Sequence, residues 1–427
     1  MALASCGARE EKAAGSAGEK VRLVYQDWST DWFPPMANEE LSRFQSSHPD
    51  ISVAYALDPP SESFGERMMA DFQAGTAPDV FQGSGAFFPA WAQKGFALDL
   101  RPYVKADLDK ATIDDWDPAQ YAALFTRDGR QFGLPKYHGA LALFYNKDIF
   151  DRYGVPYPDK SWTHDSYLRA MKRLTRDQDG DGRTDLWGSM IDVSWERIQV
   201  HVNAWGGHFV DPKDPRRSLM AEPAAVQALE WLRARMWDDR VMATPLDVKR
   251  MGTSDAFLAG KTAMVEDGSW ALKKILEGSA FRVGVAPLPA GPVRRAALAT
   301  TDGFGIYSRS RHPKEAWELL RFLIGTDYGL AMARAHLLQP ARASLLKDWV
   351  DLIHLEFPAK AKDMDIDAFA DSQRKGYSVI GEAFPNMTDA TRIANDAWEK
   401  ILVFGQESAE SIREASRRIQ EAQKGFR

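Results

Sequence analysis

The sequence predicts an α/β fold with more than one lobe, and three observations support this prediction. The chain has 427 residues, which is more than one hydrophobic core usually organises. Near its start, strand patterns alternate with helix patterns, as in a parallel sheet that carries helices on its faces. Residues 131–146 form an extended run that is too long for an ordinary strand, so we expect it to cross between lobes.

The first elements follow from the periodicity of their side chains. Three segments have strand patterns, at residues 21–25, 51–57 and 77–81, and two have amphipathic helix patterns, at residues 38–46 and 64–73. Ligands of parallel sheets bind at the carboxyl ends of the strands. The loops after the first and third strands are therefore expected to face a binding cleft.

The second half of the chain is mostly helical by the same criteria. A proline at the first helical position is favourable, so a helix is expected to begin at Pro313. A strand is predicted at residues 281–288 and a second crossing between lobes at residues 299–307. The other predicted helices are at residues 218–241, 254–258 and 408–423.

Composition places the chain among soluble globular proteins. Hydrophobic residues make up 44% and charged residues 27%, and the net charge is −6, which are ordinary values. The sequence has no Lys/Arg block of nucleic-acid type and no run that approaches the ~20 apolar residues of a membrane span. We therefore expect no nucleic-acid partner and no transmembrane helix, and we expect a monomer.

The start of the sequence predicts a lipid anchor. Cys6 is the only cysteine, and it ends a Leu-Ala-Ser-Cys sequence that has the form of a bacterial lipobox. The residues that follow, up to residue 20, are small and polar without apolar periodicity, which is typical of a flexible tether. Residues 1–20 are therefore interpreted as lipobox and tether of an extracytoplasmic protein, the alternatives being a chance tetrapeptide or a free thiol.

Short motifs in a fixed order resemble one protein family. The motifs are at residues 76–80 with 83–85, 133–135 with 143–148, 157–158 with 161–163, 257–264 with 268–270, 285–289, 313–317 and 340–342. Each is weak alone, but their order and spacing over residues 20–425 are specific. The chain resembles the solute-binding proteins of carbohydrate-importing ABC transporters, the group that includes the maltose-binding protein.

This resemblance implies a periplasmic-binding-protein fold, in which two discontinuous α/β lobes joined by hinge strands close on a solute. It implies a first lobe of residues 21–136 plus 302–342 and a second of 137–301 plus 343–427. Hinge strands are expected near residues 136–141 and 299–303, with a third crossing around residues 340–348. The implied function is to capture a carbohydrate, an oligosaccharide by preference, and deliver it to a membrane permease without catalysis.

A sugar site needs flat apolar faces for the C–H side of each ring and planar polar groups for the hydroxyls. Trp270 is the leading candidate because its Asp-Gly-Ser-Trp motif matches the family, although core packing is the usual role of any tryptophan. The full candidate set is Trp28, Ser29, Trp32, Gln82, Ser84, Gly85, Tyr137, His138, Trp195, Glu196, Asn203, Trp205, Asp267, Trp270, Asp302, Gly303 and Arg342.

An aspartate-rich loop predicts a structural calcium site. Asp177, Asp179, Asp181 and Asp185 occupy the first, third, fifth and ninth positions of an EF-hand-like loop, and the Arg183 carbonyl occupies the seventh. The twelfth position carries a glycine instead of the usual bidentate glutamate, so the loop is incomplete. A solvated acidic turn is the alternative, and no other cofactor is expected.

Two other functions stay open at the level of sequence. A secreted glycosidase would need paired carboxylates such as Glu196 and Asp267. The same fold could instead bind an acidic sugar or a phosphate ester, for which Lys136, His138 and Arg342 near the hinges supply positive charge.

Overall fold

The computed structural model of the chain describes residues 20–60, 63–83 and 87–425. The predicted lipidation residue Cys6, the tether up to residue 19, and the candidate site residues Ser84 and Gly85 lie outside these ranges. Across the described residues, no helix is long and apolar enough to cross a membrane.

The strands form two five-stranded sheets and one short pair. In chain order they are β1 Val21–Asp27, β2 Ile51–Leu57, β3 Val80–Gly83, β4 Leu134–Pro135, β5 Leu141–Asn146, β6 Ser189–Met190, β7 Met242–Ala243, β8 Met264–Gly268, β9 Val283–Ala286, β10 Ala297–Leu298, β11 Gly303–Ile306 and β12 Ser378–Val379. The first sheet has the order β2-β1-β3-β11-β4, the second β7-β6-β8-β5-β9, and β10 pairs with β12.

Helices surround both sheets. They are α1 Phe33–Ser47, α2 Phe64–Ala74, α3 Phe88–Gln93, α4 Arg101–Asp107, α5 Lys110–Asp114, α6 Pro118–Ala122, α7 Lys147–Arg152, α8 His164–Leu174, α9 Trp195–Ala204, α10 Pro223–Arg233, α11 Thr253–Leu258, α12 Leu272–Gly278, α13 Pro313–Leu323, α14 Thr326–His336, α15 Leu346–Glu356, α16 Pro358–Ala361, α17 Ala368–Lys375, α18 Met387–Trp398 and α19 Ser408–Ala422. As predicted, α13 begins at Pro313, and α2 stops where Gly75 adopts a left-handed backbone with φ +78°.

Strand pairing makes both sheets mixed. In the first sheet, β1 runs parallel to β2 and β3, whereas β11 inserts antiparallel between β3 and β4. In the second sheet, β5 runs antiparallel to both β8 and β9. The first sheet therefore combines strands from the start of the chain with one that follows the whole second sheet in sequence.

Three chain segments meet where the two sheets adjoin. The segment between β4 and β5 pairs through Tyr137 with Pro340 and through Ala140 with Ala299. The Lys136 N–H also donates to the Asp302 carbonyl at 3.1 Å. These are the three segments that the sequence predicts to cross, and their mutual bonding ties them into one band. The exact division of the chain into lobes stays a prediction.

Candidate functional site

A buried ion pair closes the base of the region between the sheets. Asp27 ends β1, Lys136 follows β4, and neither side chain is exposed to solvent. The Asp27 carboxylate also accepts from the Tyr25 hydroxyl and, at 2.7 Å, from the Trp28 N–H. The Lys136 ammonium lies 3.4 Å from the centroid of the Trp28 ring, and its burial lowers the pKa of Lys136. One face of Trp28 is therefore already occupied.

Three further carboxylates lie beside this pair. Asp58 follows β2 and accepts from the amides of Gln82 at 2.6 Å and Gln26 at 3.3 Å, and burial raises its pKa to about 7. Asp302 precedes β11, and burial raises its pKa as well. Glu196 lies in the first turn of α9 on the second lobe; burial and then the charge of Asp302 raise its pKa to about 7. Both lobes thus direct acidic groups into the same desolvated region.

Trp270 lies at the junction of the two sheets. It is half-buried in the turn after β8 and packs against the cores of both. The guanidinium carbon of Arg197 lies 4.8 Å from its ring centroid, and Arg197 Nη2 lies 3.6 Å from the Asp267 carboxylate. Arg197 Nη1 is buried and has no hydrogen-bond partner among the described residues. A Cβ on Gly139 would stand 2.9 Å from the Trp270 ring, so glycine permits this close approach.

A cavity of about 720 Å³ opens farther along the interface, within the usual size of a ligand pocket. One side of it comes from α3, α6 and the segment after α6. The other side, which we call the second-lobe wall, comes from residues 203–216 and 378–385, with Arg294 beside them. A second cavity of about 360 Å³ shares Ala90 and Pro385 with the first. The space between the lobes is therefore elongated.

Glu382 organises the second-lobe wall. Its Oε1 accepts from His208 Nδ1 at 2.7 Å and from Asn203 Nδ2 at 3.0 Å. Its Oε2 accepts from the backbone N–H groups of Phe209 at 2.6 Å and Val210 at 2.9 Å. The hydrogen bond to this carboxylate raises the pKa of His208. Four donors from α9 and the following loop thus converge on one side chain.

The family of bacterial extracellular solute-binding proteins matches residues 26–329 of the chain, which is well over half its length. The chain belongs to this family. Its members bind solutes outside the cytoplasm, so the interface described above is the expected place of binding.

The chain is also similar to individual proteins, and the solved structures among them show its fold. The galactooligosaccharide-binding protein of Bacillus subtilis is 27% identical over 331 residues, which are 76% of this chain and 73% of that protein. An ABC substrate-binding protein from Listeria monocytogenes in complex with cycloalternan has a TM-score of 0.82 at 23% identity and covers 96% of this chain and 100% of its own. UgpB from Mycobacterium tuberculosis in complex with glycerophosphocholine has a TM-score of 0.77 at 18% identity, covering 94% and 98%. The predicted two-lobed fold is confirmed.

Two tryptophans that the sequence suggests for sugar stacking pack in or against the core of the second lobe. Trp195 is 5% exposed, with its ring against Phe209 and Trp398. Trp205 is half-buried against Trp231. The sequence placed these tryptophans near a loop or the start of a helix. It did not predict which side of α9 faces the core. Trp195 is therefore unavailable for sugar stacking, whereas Trp205 keeps part of its surface exposed.

The hinge candidates His138 and Arg342 are engaged in structural contacts. His138 is 1% exposed and lies 3.2 Å from both Asp117 and Gln339. The Arg342 guanidinium lies 5.0 Å from the ring centroid of Trp116 and donates to a backbone carbonyl at 3.2 Å. Together with the buried Lys136, these groups hold the hinge band, so they are not available to neutralise an anionic solute.

Of the remaining candidates from the sequence, some lie near the buried Asp27–Lys136 pair and others lie at the surface. Tyr137 is buried, with its ring centroid 5.3 Å from that of Trp28, whereas Ser29 is exposed. Trp32 stacks on His336 with 4.6 Å between centroids. Gly303 opens β11, where a Cβ would stand 2.9 Å from a backbone carbonyl oxygen.

Asp267 and Asn203 have structural partners of their own. The Asp267 carboxylate accepts from the hydroxyls of Thr253 at 2.6 Å and Ser254 at 2.8 Å. This bonding makes it a support for Arg197 rather than an open acceptor. Asn203 lines the larger cavity, the only candidate of the sequence set that does so within the described ranges.

The aspartate-rich loop brings three of its four carboxylates together. Oxygen atoms of Asp177, Asp179 and Asp185 lie within 4.8 Å of one another. Asp181 is not part of this group and accepts instead from the Arg183 N–H at 2.8 Å. Amides of the loop also donate to Asp177 and Asp185. Calcium binding here stays a prediction.

Several residues of the site carry no motif. Asp58 lies at the carboxyl end of β2, so the strand-end rule that selected Gln82 could have found it. Arg197 follows Glu196 directly, and one helical step places it over Trp270. Glu382 has no such signal, because it is nearly 180 residues from the donors that bind it.

Proposed function

We propose that this protein captures a carbohydrate, an oligosaccharide by preference, between its lobes and delivers it to the permease of an ABC importer. The observation that carries the proposal is a group of side chains from both lobes, which we call the cleft cluster. It consists of Asp58, Glu196, Arg197, Trp270 and Asp302. A relative in Bacillus subtilis whose name specifies galactooligosaccharides supports the ligand class.

The chemistry of the cleft cluster suits a polyhydroxylated ring. The indole of Trp270 gives a flat apolar surface for the C–H side of a sugar. Carboxylates accept hydrogen bonds from hydroxyl groups, and the unpartnered Nη1 of Arg197 can donate to a hydroxyl or ring oxygen. The cavities of about 720 and 360 Å³ farther along the interface give space for further rings. This supports an oligomer over a single sugar.

A neutral ligand fits better than an acidic sugar or a phosphate ester. The cleft cluster contains three carboxyl groups and one guanidinium, so an added anion would meet more acidic than basic groups. The positive groups proposed from sequence for an anion are bound within the hinge band. The likeness to UgpB concerns the fold alone.

We also propose that the protein is not a glycosidase. Of the pair suggested by the sequence, Asp267 is already bonded to Thr253 and Ser254, whereas Glu196, with a pKa of about 7, would suit a general acid. Membership of a binding-protein family argues for retention of the solute instead. Release of nitrophenol from a panel of nitrophenyl glycosides by the purified protein would overturn this part of the proposal.

Location and partners complete the proposal. The family is extracellular. Anchoring through an acylated Cys6 would keep the protein at the membrane that contains its permease. We expect it to act there as a monomer. The full-length precursor should then fractionate with membranes in its host, and Cys6→Ser should transfer it to the soluble fraction. A wild-type precursor that stays in the soluble fraction would contradict the proposal of a lipid anchor.

Binding itself is tested by calorimetry and thermal shift with raffinose, maltotriose and cellotriose, against glucuronic acid and glycerol 3-phosphate. A ligand at 100 times its Kd stabilises the fold by about 2.7 kcal/mol. Trp270→Ala should weaken sugar binding by about 2 kcal/mol or more in a protein that remains folded. The control is Trp237→Ala, a half-buried tryptophan outside the cluster, which should lose stability but keep its affinity.

Two results would contradict the proposal. Stabilisation by glycerol 3-phosphate or glucuronic acid alone would change the ligand class to an anion. A folded Trp270→Ala variant with unchanged sugar affinity would remove the cleft cluster from the binding site.

A further inference from the structure

The second-lobe wall is assembled from chain segments that are far apart in sequence. One segment is the end of α9 with the loop after it, and the other is β12 with the residues after it. Beyond Asn203 and beyond β12, the cavity-lining residues of the wall lie outside the regular helices and strands. The shape of the cavity therefore depends on specific bonds between the two segments.

Bonds at Glu382 join the two segments, through its backbone as well as its carboxylate. Its N–H donates to Gln199 Oε1 at 2.7 Å, and its carbonyl accepts from the Trp195 indole at 2.8 Å. Gln199 also donates to the Ile380 carbonyl at 2.8 Å. These come in addition to the four bonds that the carboxylate accepts from Asn203, His208, Phe209 and Val210. The buried core of α9 thus fixes where Glu382 stands, and Glu382 fixes the loop at residues 208–210.

We infer that Glu382 is a positioning residue of the binding site: its carboxylate holds the second-lobe wall in the shape that receives the solute, and the protonation of His208 tightens that hold. The inference rests on the proposed function for its consequence on affinity, but the wall itself can be probed without any ligand.

His208 is the part of this arrangement that responds to pH. Its side chain is 40% exposed at the cavity, and the charged groups that face it are Glu382, Arg294 and Asp211. The bond to Glu382 raises its pKa above the ordinary value. The stabilisation from the charged pair is therefore complete below that ordinary value and is lost as pH rises through the raised pKa. The wall is expected to be firm near pH 6 and looser near pH 8.

Hydrogen exchange measures directly how strongly Glu382 protects the amides that it bonds. In Glu382→Gln, the protection factors of the Phe209 and Val210 amides should fall by about tenfold, the equivalent of one charged hydrogen bond. The control is Asp389→Asn, which makes the same chemical change on α18, where Asp389 bonds Asn386 and Arg392. Unchanged protection at Phe209 and Val210, or a fall spread evenly over the whole chain, would overturn the inference.

Measuring the exchange at two pH values separates a local effect of His208 on the second-lobe wall from a change in overall stability. Wild-type protection factors at Phe209 and Val210, corrected for intrinsic exchange, should fall between pH 6 and pH 8. In His208→Gln they should not change with pH. The control His354→Gln, on α15, should keep the wild-type profile. An equal fall in His208→Gln would exclude His208 from the hold.

Affinity for raffinose gives the functional consequence. Glu382→Gln should raise its Kd by about tenfold, and Glu382→Asp should recover part of the loss. If raffinose and the other sugars fail to bind the wild type, the proposed function fails, and the exchange experiment still decides the role of Glu382. If they bind and Glu382→Gln keeps wild-type affinity, the wall is not part of the site.

Discussion

At the scale of single residues, the cleft cluster contains carboxyl groups whose ionisation is made unfavourable by burial. Glu196 is the clearest case, because burial and a neighbouring carboxylate both raise its pKa, to about 7. Such groups are typical of binding sites, where the protein keeps a polar group for a ligand at the expense of its own stability. Removing the charge should therefore stabilise the protein.

Replacement Glu196→Gln is expected to raise the melting temperature more at pH 8 than at pH 5. With a folded pKa above the unfolded value, the wild type is most stable below the unfolded pKa and loses stability as pH rises toward 7, whereas the amide does not titrate. Thermal unfolding at pH 5, 6 and 8 measures the difference, with exposed Glu410→Gln on α19 as the control. A difference that is the same at every pH would contradict the burial of an ionised group.

The Lys136–Asp27 pair gives the opposite expectation, because each charge neutralises the other. Lys136→Met should cost about 3–5 kcal/mol in the free energy of unfolding, since it leaves a carboxylate buried without its partner. The double variant Lys136→Met with Asp27→Asn should recover much of that loss. Urea unfolding measures both, and a single variant as stable as the wild type would show that the ammonium contributes little.

Residue types in this site were predictable, but the direction of each side chain was not. Trp270 could be chosen because its motif fixes a turn at the end of β8. Trp195 and Trp205 were candidates without a comparable motif, and their packing against Phe209 and Trp231 depends on contacts that the sequence does not show. Glu382 could not be found, because the donors that give it a role come from a different part of the chain.

At the scale of elements, periodicity predicted most strands and helices, with errors at their ends. The strand expected at residues 77–81 is β3, Val80–Gly83, because Pro78 has no N–H to pair. The helix expected at residues 218–241 begins at Pro223 and changes to a π-helical turn at Ala234–Asp238. Local sequence fixes the type of an element, whereas neighbours fix its boundaries.

The aspartate-rich loop makes a prediction at this scale. If calcium binds, EDTA should lower the melting temperature and Ca²⁺ should restore it, because a ligand that binds only the folded state stabilises it. Asp177→Asn combined with Asp179→Asn should abolish this response, since both contribute to the group of close oxygens. Asp192→Asn, outside the loop, is the control. If the melting temperature of the wild type does not respond to EDTA, the loop is a solvated acidic turn without bound calcium.

At the scale of the whole molecule, the order of motifs was enough to predict the two-lobed fold. It was also enough to place three crossing segments, which the structure bonds into one band. The shape of the cavity was beyond reach, because its walls come from irregular segments whose course depends on long-range hydrogen bonds. The motifs predicted a carbohydrate, but which carbohydrate binds depends on these walls and could not be predicted.

Closure of the lobes is the expected motion on binding. Two lobes joined by a narrow band move by hinge bending, so a sugar that binds in calorimetry should reduce the radius of gyration in solution scattering. Gly139→Val should reduce or abolish this change, because even a Cβ there would stand 2.9 Å from the Trp270 ring. Binding at full affinity without any change in the radius would indicate a site that does not involve closure.

The insertion of β11 between β3 and β4 also has a consequence for biosynthesis. During synthesis, every strand of the second sheet leaves the ribosome before residues 303–306 do. Until then β4 has no partner strand in the first sheet, and β3 can pair only with β1. Pairing over such sequence distances is slow, which delays native structure in the emerging chain. Because the chain belongs to an extracellular family, we expect this delay to favour export, since a chain that has not completed its first sheet can still be threaded through a membrane.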